Sequence, residues 1–317
     1  MKKIIALALA LCMLLGCTAA LAEGTVYSVG VVQLVQHVAL DAATQGFQDA
    51  LVELLGEGNV TFDVQNASGD AATCATIANG FVANEVDLIM ANATAALQAA
   101  VAATGDIPIL ATSITDYGTA LDIEEWTGTS GINVSGTCDL APLDQQAQII
   151  KELFPDAQTI GLIYCSAEPN SYYQVSTIAV YLEELGYATT MFPFADSNDL
   201  ASVTQSACDG ADVLYIPTDN TAASYTETVY NVVQPSGKPV VAGEEGICAG
   251  CGVATLTIDY YDLGYATGKM AYEVLVNGTD VSTMPVEFAP QFTKKYNPTI
   301  AAELGIEIPA DYEAIAE

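Results

Sequence analysis

The feature that most limits the fold of this 317-residue chain is a regular alternation of short apolar runs with longer amphipathic segments. The run from Tyr27 to Leu34 is typical of a buried strand, and Ala39 to Leu55 places its apolar residues at helical spacing. The same pair recurs along most of the chain. Strands that alternate with helices of this length predict βαβ units and a parallel sheet, so the fold class is α/β.

The alternation stops once, in a passage rich in Thr, Gly and Ser that covers residues 112–136, and then restarts. A chain of this length exceeds what one hydrophobic core usually holds. We therefore predict two doubly wound parallel-sheet lobes, the first ending near residue 136. Residues 286–296 are predicted as one extended segment. Ligands of such sheets bind outside the carboxyl ends of the strands, which here means the cleft between two facing lobes.

The first residues predict export. A short basic start precedes an uncharged apolar run, Ile4 to Leu15, which is too short to span a bilayer and typical of a signal-peptide core. Two ends of this peptide compete. Cleavage after Ala22 makes residues 1–22 the signal peptide, whereas the lipobox-like Leu-Leu-Gly-Cys makes Cys17 a lipid-modified first residue. Either end predicts an extracytoplasmic protein, as a cell-surface lipoprotein or in a periplasmic or secreted form.

The charge of the chain excludes several classes of partner. It contains 39 acidic residues against seven basic ones, all of which are lysines, and its formal net charge is −32. Binding to nucleic acid needs Lys and Arg opposite phosphates, and binding to anionic lipid headgroups needs a basic surface. We therefore expect no nucleic-acid partner, and membrane association only through a lipid anchor.

Catalytic and metal-binding patterns are sparse. His37 is the only histidine, and Cys248 and Cys251 form an isolated CxxC without the second pair that a zinc site needs. Buried or free thiols are expected there, with a local disulfide as the alternative. No nucleophile elbow, Walker A loop or dinucleotide fingerprint occurs. We therefore expect no enzyme activity, cofactor or metal; the competing hypothesis, an exported hydrolase, requires His37.

The loops that follow the predicted strands are polar and rich in hydrogen-bond acceptors. Thr94 and Ser171 stand at the starts of helices, where free backbone N–H groups favour an anion. Asp116 and Asp219 stand at strand ends, where a carboxylate suits a ligand ammonium group. Together they predict a site for a zwitterion, that is, an amino acid. For each residue alone, capping of the following helix is the competing interpretation.

Several stretches resemble one known family in order and spacing. They are QLVQHVALDAATQGF (33–47), QNASGDAATCATIANGFVANEVDLIMANAT (65–94), TSITD (112–116), CDLAPLDQQ (138–146), SAEPNS (166–171), IPTDN (216–220) and DYYDLGYATGKMA (259–271). The chain is similar to ABC-transporter substrate-binding proteins of the type I periplasmic-binding-protein fold, within the family that includes tryptophan- and tyrosine-binding lipoproteins. The resemblance implies two lobes joined by a hinge that the chain crosses three times. The first lobe is then 24–136 plus 258–283, and the second is 137–257 plus 284–317.

The resemblance also implies a function. A monomer would capture a small ligand, such as an aromatic amino acid, by hinge closure and deliver it to an ABC permease with its ATPase. A sensory or chemotaxis receptor module and a sugar- or nucleoside-binding protein of the same fold are the alternatives. The residues that the resemblance places around the cleft are Gln36, Asn66, Thr94, Asp116, Asp139, Ser166, Asn170, Ser171, Asp219, Asn220 and Glu244.

Overall fold

Two α/β lobes face each other across a cleft in the computed structural model, which describes residues 25–316. The predicted signal peptide and Cys17 lie outside the described residues. Among residues 25–316, none of the helices is both long enough and apolar enough to span a bilayer.

The first lobe contains a six-stranded parallel sheet in the order β11-β5-β4-β3-β1-β2. Its strands are β1 (Tyr27–Gln33), β2 (Val60–Asn66), β3 (Leu88–Asn92), β4 (Ile109–Ile114), β5 (Val134–Cys138) and β11 (Glu287–Phe288). Its helices are α1 (Val38–Leu55), α2 (Ala71–Ala83), α3 (Thr94–Ala103), α4 (Tyr117–Leu121) and α11 (Tyr260–Leu275). Strands β3, β4 and β5 are wholly buried because helices cover both faces of the sheet.

The second lobe contains a seven-stranded sheet in the order β13-β12-β10-β9-β8-β6-β7, parallel except where β10 meets β12. Its strands are β6 (Thr159–Cys165), β7 (Ala188–Phe194), β8 (Val213–Ile216), β9 (Val240–Ala242), β10 (Ala254–Thr257), β12 (Thr293–Tyr296) and β13 (Glu313–Ala314). Its helices are α5 (Leu143–Leu153), α6 (Pro169–Glu184), α7 (Ser197–Gly210), α8 (Asn220–Ser224), α9 (Thr226–Ser236), α10 (Glu245–Cys251) and α12 (Pro298–Leu304).

The chain passes between the lobes three times: after β5, between β10 and α11, and between β11 and β12. The last crossing lies beyond Phe288, later than the boundary near Met284 that the resemblance implies. Val286 is buried in the core of the first lobe, and the hydroxyl of Ser135 donates to the carbonyl of Met284 at 3.0 Å. These contacts keep the segment on the first sheet for four more residues.

Two sequence expectations differ from the structure. Residues 112–136 are not wholly irregular, because α4 and β5 form within them. The backbone of Asp116 and its side chain start α4, and Gly136 adopts a φ of +147° within β5, so a helical or alternating apolar pattern is weak there. Residues 286–296 form two short strands, β11 and β12, which belong to different sheets rather than to one extended element.

Helices α1 and α11 pack closely because glycines face the contact. A Cβ added to Gly264 would lie 1.9 Å from the carbonyl oxygen of Ala43, and one added to Gly46 would lie 2.1 Å from the carbonyl oxygen of Tyr261. Neither helix backbone can therefore accept a side chain at these positions. The contact fixes α11, and with it the second crossing, on the first lobe.

Candidate functional site

The cleft between the lobes contains two adjoining cavities of about 880 Å³ and about 210 Å³. The larger lies within the usual size range of small-molecule sites. Both are lined by residues of both lobes, and Gln36 and Ser224 belong to the walls of each. The larger cavity is also lined by Asn66, Ala95, Cys165, Glu168, Asn220, Thr221 and Tyr225, and the smaller by His37, Val38, Thr226 and Glu244.

A hydrogen bond at the wall of the smaller cavity joins the two lobes. The Nε2 atom of His37, which precedes α1, lies 3.3 Å from the Oδ1 atom of Asn220, the first residue of α8. Glu168 holds Asn220 in place, because one of its carboxylate oxygens accepts the backbone N–H of Asn220 at 2.9 Å and the side-chain amide at 2.8 Å. The other carboxylate oxygen accepts the N–H and the hydroxyl of Thr221.

Helices that begin at the cleft differ in how their first N–H groups are satisfied. No side chain caps α1 or α3, and within residues 25–316 no acceptor pairs with the N–H groups of Thr94, Ala95 and Ala96. Free N–H groups at the start of a helix attract an anion. Ser171 was predicted to stand at a similar anion site. It is fully buried, however, and its N–H donates to the carbonyl of Glu168. The start of α6 therefore offers no comparable site.

Asp139 is a buried carboxylate at the first crossing between the lobes. It is 4% exposed and accepts hydrogen bonds from the hydroxyl of Thr115 at 3.2 Å and from that of Tyr260 at 2.9 Å. Burial raises its pKa to about 6, against the stabilising effect of these hydroxyls. None of the five lysines in the described chain contacts it. Asp139 thus carries a negative charge without a cationic partner.

Two more buried carboxylates begin helices. The Oδ1 atom of Asp219 accepts the N–H of Ala222 and its Oδ2 atom accepts the N–H of Cys165, while both carboxylate oxygens of Glu244 accept N–H groups of α10. Burial raises the pKa of each to about 7, and Glu168 adds to the effect at Asp219. Both oxygens of each group already have donors. The structure therefore favours helix capping over the ammonium contact predicted for Asp219.

Of the remaining predicted residues, some are hydrogen-bonded within the protein and others lie on a cavity wall. Asp116 caps α4 by accepting the N–H of Thr119 at 2.7 Å, so capping accounts for it as well. The hydroxyl of Ser166 donates to the carbonyl of Phe194 at the edge of the second sheet. Asn170 is buried, and its amide donates to the carbonyl of Thr218. Gln36 and Asn66 are exposed on the wall of the larger cavity, and Asn220 lies between the lobes.

Sequence reasoning missed two residues that shape the cleft, Glu168 and Gln174. Glu168 lies inside the SAEPNS stretch and lines the larger cavity. Gln174 lies one turn after Asn170 in α6; its amide nitrogen lies 3.4 Å from the Thr115 hydroxyl of the other lobe. Its amide also bonds within its own lobe, to the carbonyls of Asn170 and Thr218 and to the N–H of Thr218. A polar residue one turn into an otherwise amphipathic helix is a weak signal in a sequence.

Neither a metal-binding cluster nor an exposed thiol occurs between residues 25 and 316. No group of three His, Cys, Asp or Glu side chains there has the geometry to hold a metal ion. All six cysteines in this part of the chain are buried and unpaired, including Cys248 and Cys251 in α10. Burial raises the pKa of both thiols, which disfavours the reactive thiolate.

Backbone strain marks the start of α3. Ala93, which precedes Thr94, has φ 88° and ψ 160°, a conformation that residues other than glycine rarely adopt. Two residues later, Ala95 lies in the wall of the larger cavity. Such strained residues cluster at binding sites.

We expect Ala93→Gly to raise the melting temperature by about 2 °C. Relief of strain worth about 1–3 kcal/mol outweighs the extra chain entropy of glycine, about 0.5–1 kcal/mol. Differential scanning calorimetry measures the change. Ala99→Gly, in the middle of the same helix where no strain is relieved, serves as the control and should lower the melting temperature. A lower value for Ala93→Gly would show that the strain is absent in solution.

Comparisons with known proteins agree on one family. The family model of ABC transporter substrate binding proteins matches residues 28–317. A tyrosine-binding protein from Clostridioides difficile is 38% identical over 261 residues, which cover 82% of this chain and 75% of that protein. An ABC domain from Streptococcus pneumonia, solved in complex with L-Trp, is 35% identical over 92% of this chain and 100% of the other, with a TM-score of 0.88.

A further structure reports on the angle between the lobes. The ligand-free, open structure of a substrate binding protein with adhesive properties from Clostridium difficile is 37% identical over 92% of this chain and 99% of its own. Its TM-score is 0.70, lower than that of the L-Trp complex at nearly equal identity. A change in the angle between two rigid lobes lowers the score in this way. In this chain, His37 of the first lobe contacts Asn220 of the second.

Proposed function

Because the chain belongs to the family of ABC transporter substrate-binding proteins, we propose that it captures a free L-amino acid with an aromatic side chain by closing its two lobes. Members of this family bind solutes and are not enzymes. The observation that carries the proposal is a pair of opposite binding features where the lobes meet. One is the uncapped start of α3, where Ala95 lines the larger cavity, and the other is the carboxylate of Asp139, which is buried at the first crossing between the lobes.

The ligand carboxylate is assigned to the start of α3. The N–H groups of Thr94, Ala95 and Ala96 lack acceptors in the described chain, and Ala95 lies in the wall of the larger cavity. A chain without arginine has no guanidinium with which to bind a carboxylate in a bidentate manner, so a helix start is the strongest anion site available to it.

The ligand ammonium group is assigned to Asp139. This carboxylate is almost fully buried, and the side chains that donate to it are the hydroxyls of Thr115 and Tyr260, which leaves lone pairs for a further donor. A buried charge without a partner is unfavourable, and a ligand cation would compensate it. The carboxylate of Asp139 therefore destabilises the empty protein and contributes to ligand affinity in the complex.

The aromatic side chain is the part of the proposal that rests on relatives. One is named a tyrosine-binding protein, and another was solved with L-Trp. In this chain, the larger cavity has the ring of Tyr225 in its wall. This side chain is able to stack on or edge against an aromatic ring.

The cellular role follows from the same family. We propose that the protein acts outside the cytoplasm as a monomer and delivers its ligand to an ABC permease whose ATPase drives import. Hinge closure acts as a population shift toward the state that the ligand binds better. Residues 1–22 would direct export as a signal peptide. In the alternative, cleavage before Cys17 would leave a lipid on this residue, which would anchor the protein to the membrane.

A thermal-shift series on the purified mature protein tests the proposed ligand. L-tryptophan and L-tyrosine, each at about 1,000 times the dissociation constant, should stabilise the protein by about 4 kcal/mol. Tryptophan amide, which lacks the carboxylate, and indole-3-propionic acid, which lacks the ammonium group, should each stabilise far less. Isothermal titration calorimetry then gives the affinities.

The contrary outcome is equally clear. Stabilisation by myo-inositol or another sugar with none by any amino acid would reject the zwitterion assignment. Equal stabilisation by tryptophan and indole-3-propionic acid would reject only the assignment of the ammonium group to Asp139. The assignment of the ligand carboxylate to the start of α3 would stand.

A further inference from the structure

We infer that His37, Asn220 and Glu168 form a latch that holds the closed lobes together, in which Glu168 is a positioning residue and His37 is the donor. The latch rests on the proposed capture by lobe closure. It adds residues that set how long the ligand stays, none of which the comparisons assign. His37 belongs to the first lobe, and Asn220 and Glu168 belong to the second.

The orientation of the Asn220 amide fixes the chemistry of the latch. An ionised carboxylate only accepts hydrogen bonds, so the amide nitrogen of Asn220 must face Glu168, at 2.8 Å from its Oε2 atom. The amide oxygen then faces His37 at 3.3 Å. An oxygen only accepts, so His37 must carry a proton on Nε2 and donate it. Glu168 thus sets the tautomer that His37 needs, although the two do not touch through a hydrogen bond.

Glu168 is well suited to this task. Its two carboxylate oxygens accept hydrogen bonds from the backbone N–H groups of both Asn220 and Thr221 and from the side chains of both. These bonds fix the carboxylate and the start of α8 as one unit. Asn220 is therefore held in place before closure, and His37 arrives as the moving partner when the first lobe swings in.

The latch lies between the two cavities of the cleft. Glu168 and Asn220 line the larger cavity, His37 lines the smaller one, and Gln36 beside His37 lines both. A ligand behind this contact has to wait for the hydrogen bond to break before it leaves. Since the contact forms only after closure, it should act on dissociation and leave association nearly unchanged.

The charged groups around His37 predict how pH acts on the latch. Burial lowers the pKa of His37 below its usual value. The hydrogen bond to Asn220 opposes this shift, as do the charges of Glu168, which precedes α6, and of Asp41 in α1; Glu244 of α10 lines the same small cavity. The imidazolium still donates to Asn220, but its burial on closure is unfavourable, so the closed form is most stable above pH 6.5 and loses stability as the pH falls.

The test compares two substitutions with L-tryptophan as the probe, or L-tyrosine if only that ligand binds. His37→Phe keeps a ring but loses the donor, and it should speed ligand dissociation about threefold to tenfold in stopped-flow fluorescence. His37→Gln keeps an amide donor without a titrating group. At pH 8 the ligand should dissociate from His37→Gln nearly as slowly as from the wild type. Between pH 8.0 and 5.5, the dissociation rate of the wild type should rise by a factor about three times larger than that of His37→Gln.

A double-mutant cycle tests Glu168 as the positioning residue. Glu168→Gln should also speed dissociation, but it should add little in the His37→Phe background because the latch is already lost. Thermal melts exclude a folding defect as the cause. Additive effects, or unchanged dissociation in His37→Phe, would overturn the latch while ligand binding itself stays intact. If no amino acid binds at all, it is the proposed function that fails, and the latch then fails with it.

Discussion

Asp139→Asn is expected to weaken amino-acid binding by about 100-fold. The substitution keeps the shape of the side chain but removes the negative charge that we assign to the ligand ammonium group. Loss of one partner from a buried, hydrogen-bonded charge pair costs about 2–5 kcal/mol, which spans this change in affinity. Isothermal titration calorimetry with L-tryptophan and L-tyrosine at pH 8 measures it. Asp144→Asn, at an exposed position of α5, is the matched control and should bind as the wild type does.

The same substitution should stabilise the empty protein at pH 8. The pKa of Asp139 is raised to about 6 in the folded state, so the folded protein binds a proton more tightly than the unfolded chain does. Stability is then lost as the pH rises from about 4 through 6 and stays reduced above it. The Asp139→Asn protein would escape this loss, worth about 1–3 kcal/mol, and its melting temperatures at pH 8 and pH 4 should differ less than those of the wild type.

The two results together separate a binding role from a structural one. A residue kept only for its hydrogen bonds to Thr115 and Tyr260 would lose stability when changed to Asn, and binding would change little. Unaltered affinity with a lower melting temperature would therefore contradict the assignment of Asp139.

Gly264→Ala is expected to destabilise the protein by about 3 kcal/mol or more. The added methyl group would lie 1.9 Å from the carbonyl oxygen of Ala43 and 2.7 Å from its Cα atom, so two helix backbones have to separate. Overpacking of a close-packed contact usually costs about 1–3 kcal/mol, and backbone atoms yield less than side chains do. Urea unfolding followed by circular dichroism measures the change.

Gly80→Ala, in the middle of α2, is the matched control. A Cβ atom there meets no other atom within 4 Å, so the methyl group has room, and the better helix propensity of alanine should stabilise by about 0.5–1 kcal/mol. Equal effects of the two substitutions, or a stable Gly264→Ala protein, would show that α1 and α11 are not in such close contact in solution.

The sequence predicted the fold well where the local pattern and the final environment agree. The predicted strand Tyr27 to Leu34 and the predicted helix Ala39 to Leu55 match β1 and α1 to within one residue, because apolar periodicity reports burial directly. The family resemblance and the two parallel-sheet lobes were also confirmed. Strand β5 was missed, since Gly136 and small polar residues fill a strand that is buried by its neighbours rather than by its own side chains.

The site was less predictable for a physical reason. Asp219 and Glu244 cap helices, and an N-cap carboxylate looks the same in a sequence as a carboxylate that awaits a ligand. What separates Asp139 from them is that it caps no helix and takes its side-chain donors from Thr115 and Tyr260, an arrangement that depends on the crossing of the chain between the lobes. Glu168 was overlooked for the opposite reason: its donors lie more than 50 residues away in α8.

The contact between α1 and α11 also dictates the order in which the molecule is completed. The hydroxyl of Tyr261 donates to Asp49, 212 residues earlier, so the first lobe lacks one of its helices until most of the second lobe has been made. At a synthesis rate of about 5–20 residues per second, α1 waits roughly 10–40 s for its partner. During that interval the leading half of the chain has an unfilled face and no finished core. The core that Met270 and Ala271 of α11 share with β1 is therefore completed only after most of the second lobe has been synthesised.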